Sequence, residues 1–142
     1  MRRILLLLLS LSLSACVNDT ASYALDGRDN AVTVKIDQDK FWNDQLTIAL
    51  IVSRLPDCQR THLLTPEPAA DLELALYVAG ENSWILRSNQ QAWQFSNDNC
   101  DTLLDASKLP VGERLGTFKF DNKKFIFEPG AAPPAAPAPA AK

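Results

Sequence analysis

From Ser22 to Pro129 apolar and polar residues alternate nearly everywhere with a period of two, the repeat of a strand with one buried face. Tyr23 and Leu25 precede a cluster of turn formers, Asp26-Gly27-Arg28-Asp29-Asn30, and Val32, Val34 and Ile36 then alternate with Thr33, Lys35 and Asp37, which predicts a hairpin. In the next segment Leu46, Ile48, Leu50 and Val52 form one face and Thr47, Ala49 and Ile51 the other. Both faces are largely apolar, as in a central strand. Leu72, Leu74, Leu76 and Val78 predict another strand, ended by Ala79-Gly80-Glu81-Asn82; Trp84 and Leu86, then Trp93 and Phe95, predict two more around Ser88-Asn89-Gln90-Gln91. If Asp121 to Lys124 make a turn, Phe120 faces Phe125 and Phe118 faces Phe127. Four rings then share one face and anchor the core.

Helical periodicity is nearly absent. Leu103, Leu104 and Ala106 between Asp98 and Leu109 suggest one short helix in a loop, which Pro110 prevents from extending. About seven strands without βαβ alternation predict an all-β fold, a small antiparallel β-sandwich or partly open barrel.

Two composition breaks frame this domain. Gly130 to Lys142 is Ala and Pro apart from its first and last residues, so it supplies no core and favours an extended, exposed tail. At ~3.1 Å per residue such a tail reaches about 40 Å. At the other terminus Arg2 and Arg3 precede an apolar run from Ile4 to Leu13, interrupted by Ser10 and Ser12. As a helix this run rises only about 15 Å, half the ~30 Å hydrocarbon core, so it is a signal-peptide segment rather than a permanent span.

Leu13-Ser14-Ala15-Cys16 directly follows that run and resembles the lipobox of bacterial lipoproteins. The resemblance covers the first sixteen residues. It implies that residues 1–15 are removed and that the Cys16 thiol receives a diacylglycerol, with a further acyl group such as palmitate on the new amino terminus. Two or three chains, at ~0.8 kcal/mol per buried methylene, anchor a protein stably. Val17 in place of Asp after the Cys implies, by the sorting rule of enteric bacteria, the outer membrane, with the protein on the periplasmic side. The predicted organisation is a signal peptide at 1–15, a lipidated terminus and short tether at 16–21, a β domain at 22–129 and an Ala/Pro-rich tail at 130–142.

Without Arg2 and Arg3 the chain has 14 − 2 = 12 basic against 17 acidic residues, a net charge of −5. That argues against nucleic acid or anionic headgroups as partners, since both demand a basic surface. With Cys16 lipidated, Cys58 and Cys100 are the remaining thiols, and export places them in an oxidising compartment, which predicts a disulfide between them. The alternative of a redox or nucleophilic pair lacks a C-x-x-C and has only His62 for support.

Catalytic and metal signals are weak. Ser53, His62 and an Asp could form a triad only without any Gly-x-Ser-x-Gly elbow, and a hydrogen-bonded strand histidine is the simpler reading. Zinc would need thiols already spent, the Asp/Asn clusters at 26–30 and 97–101 lack EF-hand spacing, and Gly is too sparse for a phosphate loop. No cofactor or metal is expected. Carboxylates such as Glu73 and Glu81 could pair in an enzyme, and nothing in the sequence orders them.

Two features point to a partner. Arg54 and Arg60 flank Cys58 in a strand-exit loop and could grip a carboxylate or phosphate, the alternative being an Arg54–Asp57 pair with Arg60 solvated. Phe41-Trp42 lies beside a strand edge, where Trp42 either packs in the core or stacks on a sugar or protein partner. The resulting expectation is a non-enzymatic binding or structural module of the envelope with a protein partner. One alternative is a binding lipoprotein similar in size, anchor and disulfide use to the lysozyme inhibitors, acting on a cell-wall hydrolase, although that family's recognition motif is absent. The other is a spacer whose tail reaches peptidoglycan; Ala140-Ala141-Lys142 resembles the ends of lipoproteins joined to the wall through Lys.

Overall fold

A computed structural model describes residues 17–130; the expected signal peptide, Cys16 and the Ala/Pro segment after Gly130 lie outside the described residues. The described chain is all-β. Its strands are β1 (Asn18–Asp26), β2 (Asn30–Asp37), β3 (Gln45–Arg54), β4 (Cys58–Leu63), β5 (Glu67–Pro68), β6 (Glu73–Gly80), β7 (Ser83–Arg87), β8 (Ala92–Ser96), β9 (Leu103–Asp105), β10 (Arg114–Asp121) and β11 (Lys124–Pro129). They form two antiparallel sheets. One has the order β1-β2-β3-β4, with β5 on the start of β3, and the other β11-β10-β6-β7-β8-β9.

Each period-two segment became a strand, but eleven strands form where about seven are expected, and neither sheet closes on itself. The additional strands lack an apolar face of their own. β4 carries Gln59, Arg60 and Thr61 and is held by its ladder to β3, while β5 and β9 have two and three residues. The expected helix near Leu103 is absent. Leu103 pairs with Phe95 and packs against the core while Leu104 is 56% exposed, a strand's alternation. The single helical turn among the described residues is a 3-10 turn at Ala69–Asp71. β1 also begins ahead of the expected boundary at Ser22, because Asn18 to Ala21 ladder onto Val34 to Asp37 and bury Ala21. Of the expected tether, only Val17 precedes the sheet.

The core lies between the sheets. Val32, Val34, Ile36, Leu46, Ile48, Leu50 and Val52 from the first meet Leu74, Leu76, Trp84, Leu86, Trp93, Phe95, Phe118 and Phe125 from the second in one apolar cluster. The aromatic hairpin has the expected register, Phe118 opposite Phe127 and Phe120 opposite Phe125. Its turn uses Asn122 and Lys123, both at positive φ (48° and 68°), as the tightest hairpin turns require. To reach β10 from β9 the chain crosses the outer face of the second sheet, where Ala106 packs on Ile85 and Ala92. Gly112 seats this crossing against β6, since a Cβ there would lie 2.6 Å from the Val78 carbonyl oxygen.

Two lateral seams join the sheets. At one, β1 and β11 run side by side: Asp19 Oδ2 accepts a hydrogen bond from the Phe125 backbone N–H (2.9 Å), and the Tyr23 and Phe127 rings lie 4.5 Å apart. At the other, the expected disulfide joins Cys58 at the head of β4 to Cys100 after β8. Beside it His62, part-buried on β4, hydrogen-bonds the Cys100 carbonyl through Nε2 (2.7 Å).

The bridge closes a loop across 42 positions, worth about 4 kcal/mol in the chain-entropy account. That approaches the whole net stability of a small domain. Replacing both Cys58 and Cys100 by Ser should cost about that much, read as a lowered midpoint in urea unfolding followed by circular dichroism. An unchanged midpoint would show the bridge to be dispensable.

Candidate functional site

Functional side chains collect at the two opposite ends of the strands. The first end holds the start of β1, the β2–β3 loop, the 3-10 turn and the β10–β11 turn. Gln38 N–H donates to the Val17 carbonyl (2.8 Å), Ala69 N–H to that of Asp44 (2.9 Å) and Asn89 Nδ2 to that of Asp71 (3.5 Å). We call this the Val17 end. The other is the disulfide end, where the β1–β2, β3–β4 and β6–β7 turns gather and where Gly130 N–H is bound by the Leu115 carbonyl (2.7 Å).

At the disulfide end both candidate arginines face carboxylates of this chain. Arg54 lies between Asp57 (Nε to Oδ2 3.6 Å) and Asp98 (3.5 Å), and Asp98 also accepts from Asn82 Nδ2 (3.1 Å). The Arg54–Asp57 pair foreseen as the simpler alternative is therefore present. Arg60 is not solvated alone: its Nε meets Asp101 Oδ1 at 2.8 Å and its second nitrogen reaches Oδ2 at 3.5 Å. The two partners that the sequence did not suggest, Asp98 and Asp101, lie more than forty positions downstream and are brought in by the disulfide. Two guanidinium groups against three carboxylates leave this surface slightly acidic, so a grip on a free anion would first have to displace an internal partner.

At the Val17 end a cleft of about 940 Å³ opens between the sheets, lined by Val17, Asp19, Asp71, Glu73, Lys119 and Lys123 among others. No local pattern signals it, because its walls come from four separate segments. Most of its charges are engaged or solvated. The Phe125 N–H first, then the Thr20 N–H and the Lys124 charge, hold the Asp19 carboxyl below its ordinary range; the hydrogen bond that Lys119 Nζ donates to Glu128 Oε2 (2.7 Å) keeps the Lys119 ammonium above its own. Among the described residues the cleft lining offers carboxylates and ammonium groups of mixed sign and no Ser, Thr, Cys or His.

Beside the cleft's end, on the β2–β3 loop, Phe41 and Trp42 are 65% and 71% exposed. Their rings meet edge to face at 4.8 Å, and Lys40 Nζ lies 6.0 Å from the Trp42 ring. The core reading of Trp42 is thereby corrected. Trp84 and Trp93 are the core tryptophans, each 8% exposed.

Two combinations that the sequence left as weaker alternatives do not assemble. Ser53 pairs with Gln59 and His62 with Leu50, three positions apart along the ladder, and Ser53 Oγ bonds the Ala31 carbonyl instead. Glu73 opens β6 and Glu81 follows its last residue, about 26 Å apart at the rise of a strand. Among the described residues no three His, Cys, Asp or Glu side chains converge as metal ligands.

No family model matches this chain, and no curated protein or solved structure matches it.

Asp19 joins the cleft to a seam, and its titration is measurable. Because its folded-state pKa is depressed, its contribution to stability is fully present above the unfolded carboxyl value of about 3.9 and is lost as pH falls through the folded one. Asp19→Ala should cost about 1 kcal/mol at neutral pH, the modest end for a bond to a partly solvated charge. In thermal melts across the acid range, the gap between the variant and the parent chain should narrow below about pH 4. A gap independent of pH would remove Asp19 from the acid sensitivity of the fold.

Proposed function

We propose that this is a lipid-anchored, non-enzymatic module of the bacterial envelope: a two-sheet sandwich held to a membrane, in the sorting expectation the outer one, through acylated Cys16 on the periplasmic side. The observation that carries the reading is the opposition of the chain's two exits. Val17, next to Cys16, is tied into the first sheet through Gln38, whereas Gly130 leaves from the disulfide end. A domain anchored through Cys16 then turns its Val17 end to the bilayer and its disulfide end outward.

That orientation supports the disulfide end, with Arg54 and Arg60 among paired carboxylates, as the face met by an envelope protein. Salt-bridged arginines of this kind serve at the rim of an interface, setting register more than affinity. The position of Gly130 also favours the spacer reading, because the Ala/Pro sequence starts at the end of the domain opposite Val17. In that reading the strand length, about 30 Å for the nine residues of β1, would add to the reach of ~40 Å expected of an Ala/Pro segment of this length.

Cys16→Ala should move the protein from the membrane to the soluble fraction on cell fractionation, with the parent chain carrying the mass of its acyl groups. An unmodified Cys16 in intact-mass measurement sinks the anchor. For the outward face, Arg54→Ala/Arg60→Ala should lose partners that the parent chain retains in pull-downs from solubilised membranes. An unchanged partner set, a cell-wall hydrolase included, removes these residues as a contact. A muramidase digest that leaves no muropeptide on the C-terminal peptide removes a covalent link to the wall.

A further inference from the structure

We infer that Phe41 and Trp42 form a second membrane contact, a pair of aromatic side chains that enters the headgroup region of the bilayer beside the lipid on Cys16. The inference rests on the anchored reading and goes beyond it by naming a surface and its partner.

The first step is position. Gln38, at the root of the β2–β3 loop, donates its N–H to the carbonyl of Val17, the residue that follows Cys16 (2.8 Å). From Gln38 to Phe41 is three residues, at most about 11 Å of chain. The pair therefore cannot lie far from the anchor.

The second step is chemistry. Two large apolar rings exposed side by side carry a standing hydration cost, and neither is covered by the domain. An indole with an apolar body and an N–H suits the boundary between headgroups and acyl chains, where tryptophan is enriched. Lys40, near the Trp42 face, can extend its ammonium to the lipid phosphates.

The third step is support. The loop is braced where it meets the sheets: Gln38 Nε2 donates to the Asn43 carbonyl (2.6 Å), Asn43 Oδ1 accepts from Gln45 N–H (3.1 Å) and Asp39 Oδ2 accepts from Thr47 Oγ1 (3.1 Å). These contacts hold the loop's two limbs and leave its tip projecting. With Asp39 and Asp44 flanking the tip, general attraction to anionic lipid is weak, so burial of the rings supplies the contact and salt should affect it little.

The test uses the full mature chain, acylated, in vesicles of phosphatidylethanolamine and phosphatidylglycerol containing a lipid spin-labelled near the headgroup. The parent chain's fluorescence should be quenched strongly and that of Trp42→Phe hardly at all, since Trp84 and Trp93 are buried in the core. In parallel, the chain without acyl groups (Cys16→Ala) should bind these vesicles weakly, and adding Phe41→Ala/Trp42→Ala should reduce that binding at least about tenfold, alike at low and high salt. Equal quenching of the parent and Trp42→Phe chains, with Cys16 acylated, overturns the contact and leaves the anchor standing. Absent acylation, by contrast, removes the anchor itself, and the Cys16→Ala binding comparison then decides the aromatic contact alone. Protection of Trp42 only when envelope proteins are added assigns the pair to a protein partner and also overturns the proposal.

Discussion

The fold depends on closing two open sheets against each other along both sides. Each sheet presents an inner face of fully buried Val, Ile, Leu and Phe, and the burial of each such side chain contributes about 1.5–3 kcal/mol. That burial drives the sheets together without fixing how they are joined. The joining falls to the two seams, and they differ in kind. Between β4 and the turn after β8 the link is covalent, reinforced by His62 on the Cys100 carbonyl and by Arg60 on Asp101. Between β1 and β11 it is polar and aromatic, with Asp19 on the Phe125 N–H and Tyr23 on Phe127. One seam constrains the unfolded chain and the other is made only in the folded state.

The seams also separate what the sequence reveals from what it conceals. The period-two runs place Val32 to Ile36, Leu46 to Val52 and Phe118 to Phe127 correctly, because an alternating strand with an apolar face has only one way to bury it. The aromatic register could be read from the turn, since Asp121 to Lys124 fixes which residues oppose each other. The disulfide followed from counting thiols. β4 was not legible because its residues are polar and its order is borrowed from β3, and β9 because three residues carry no periodicity. The pairing of Arg54 and Arg60 with Asp98 and Asp101 joins residues more than forty positions apart, and charge alone does not choose among the seventeen acidic residues available. Whether Trp42 turned inward or outward depended on the path of the loop, which the bracing by Gln38, Asp39 and Asn43 decides and no periodicity reports.

Strand parity gives the domain two unlike ends. β1 and β11 are edge strands of different sheets running in the same direction, so the residue before β1 and the residue after β11 are separated by the full strand length. Val17 and Gly130 therefore lie at opposite ends of the core. The same parity sorts the chemistry. The cleft, the mixed carboxylates and ammonium groups and the exposed aromatics fall at the Val17 end, while the disulfide and the paired arginines fall at the other.

The difference between the ends has a mechanical side. A single acylated residue is a flexible point of attachment, and a domain on such a point samples many tilts. In the proposed anchoring the backbone is bound into the sheet from Val17 onward, and rotation about the attachment point would still be unrestrained by covalent structure. A second contact at the same end, offset from the first by the width of a few strands, would restrain it. Phe41 and Trp42 lie at such an offset: Val17 leads into β1 at the sheet's edge, and their loop leads into β3, two strands in, about 10 Å away at the spacing of neighbouring strands. Two contacts on that baseline fix an axis where one contact fixes only a point, and a fixed axis is what an outward end needs if it is to meet a partner in one orientation.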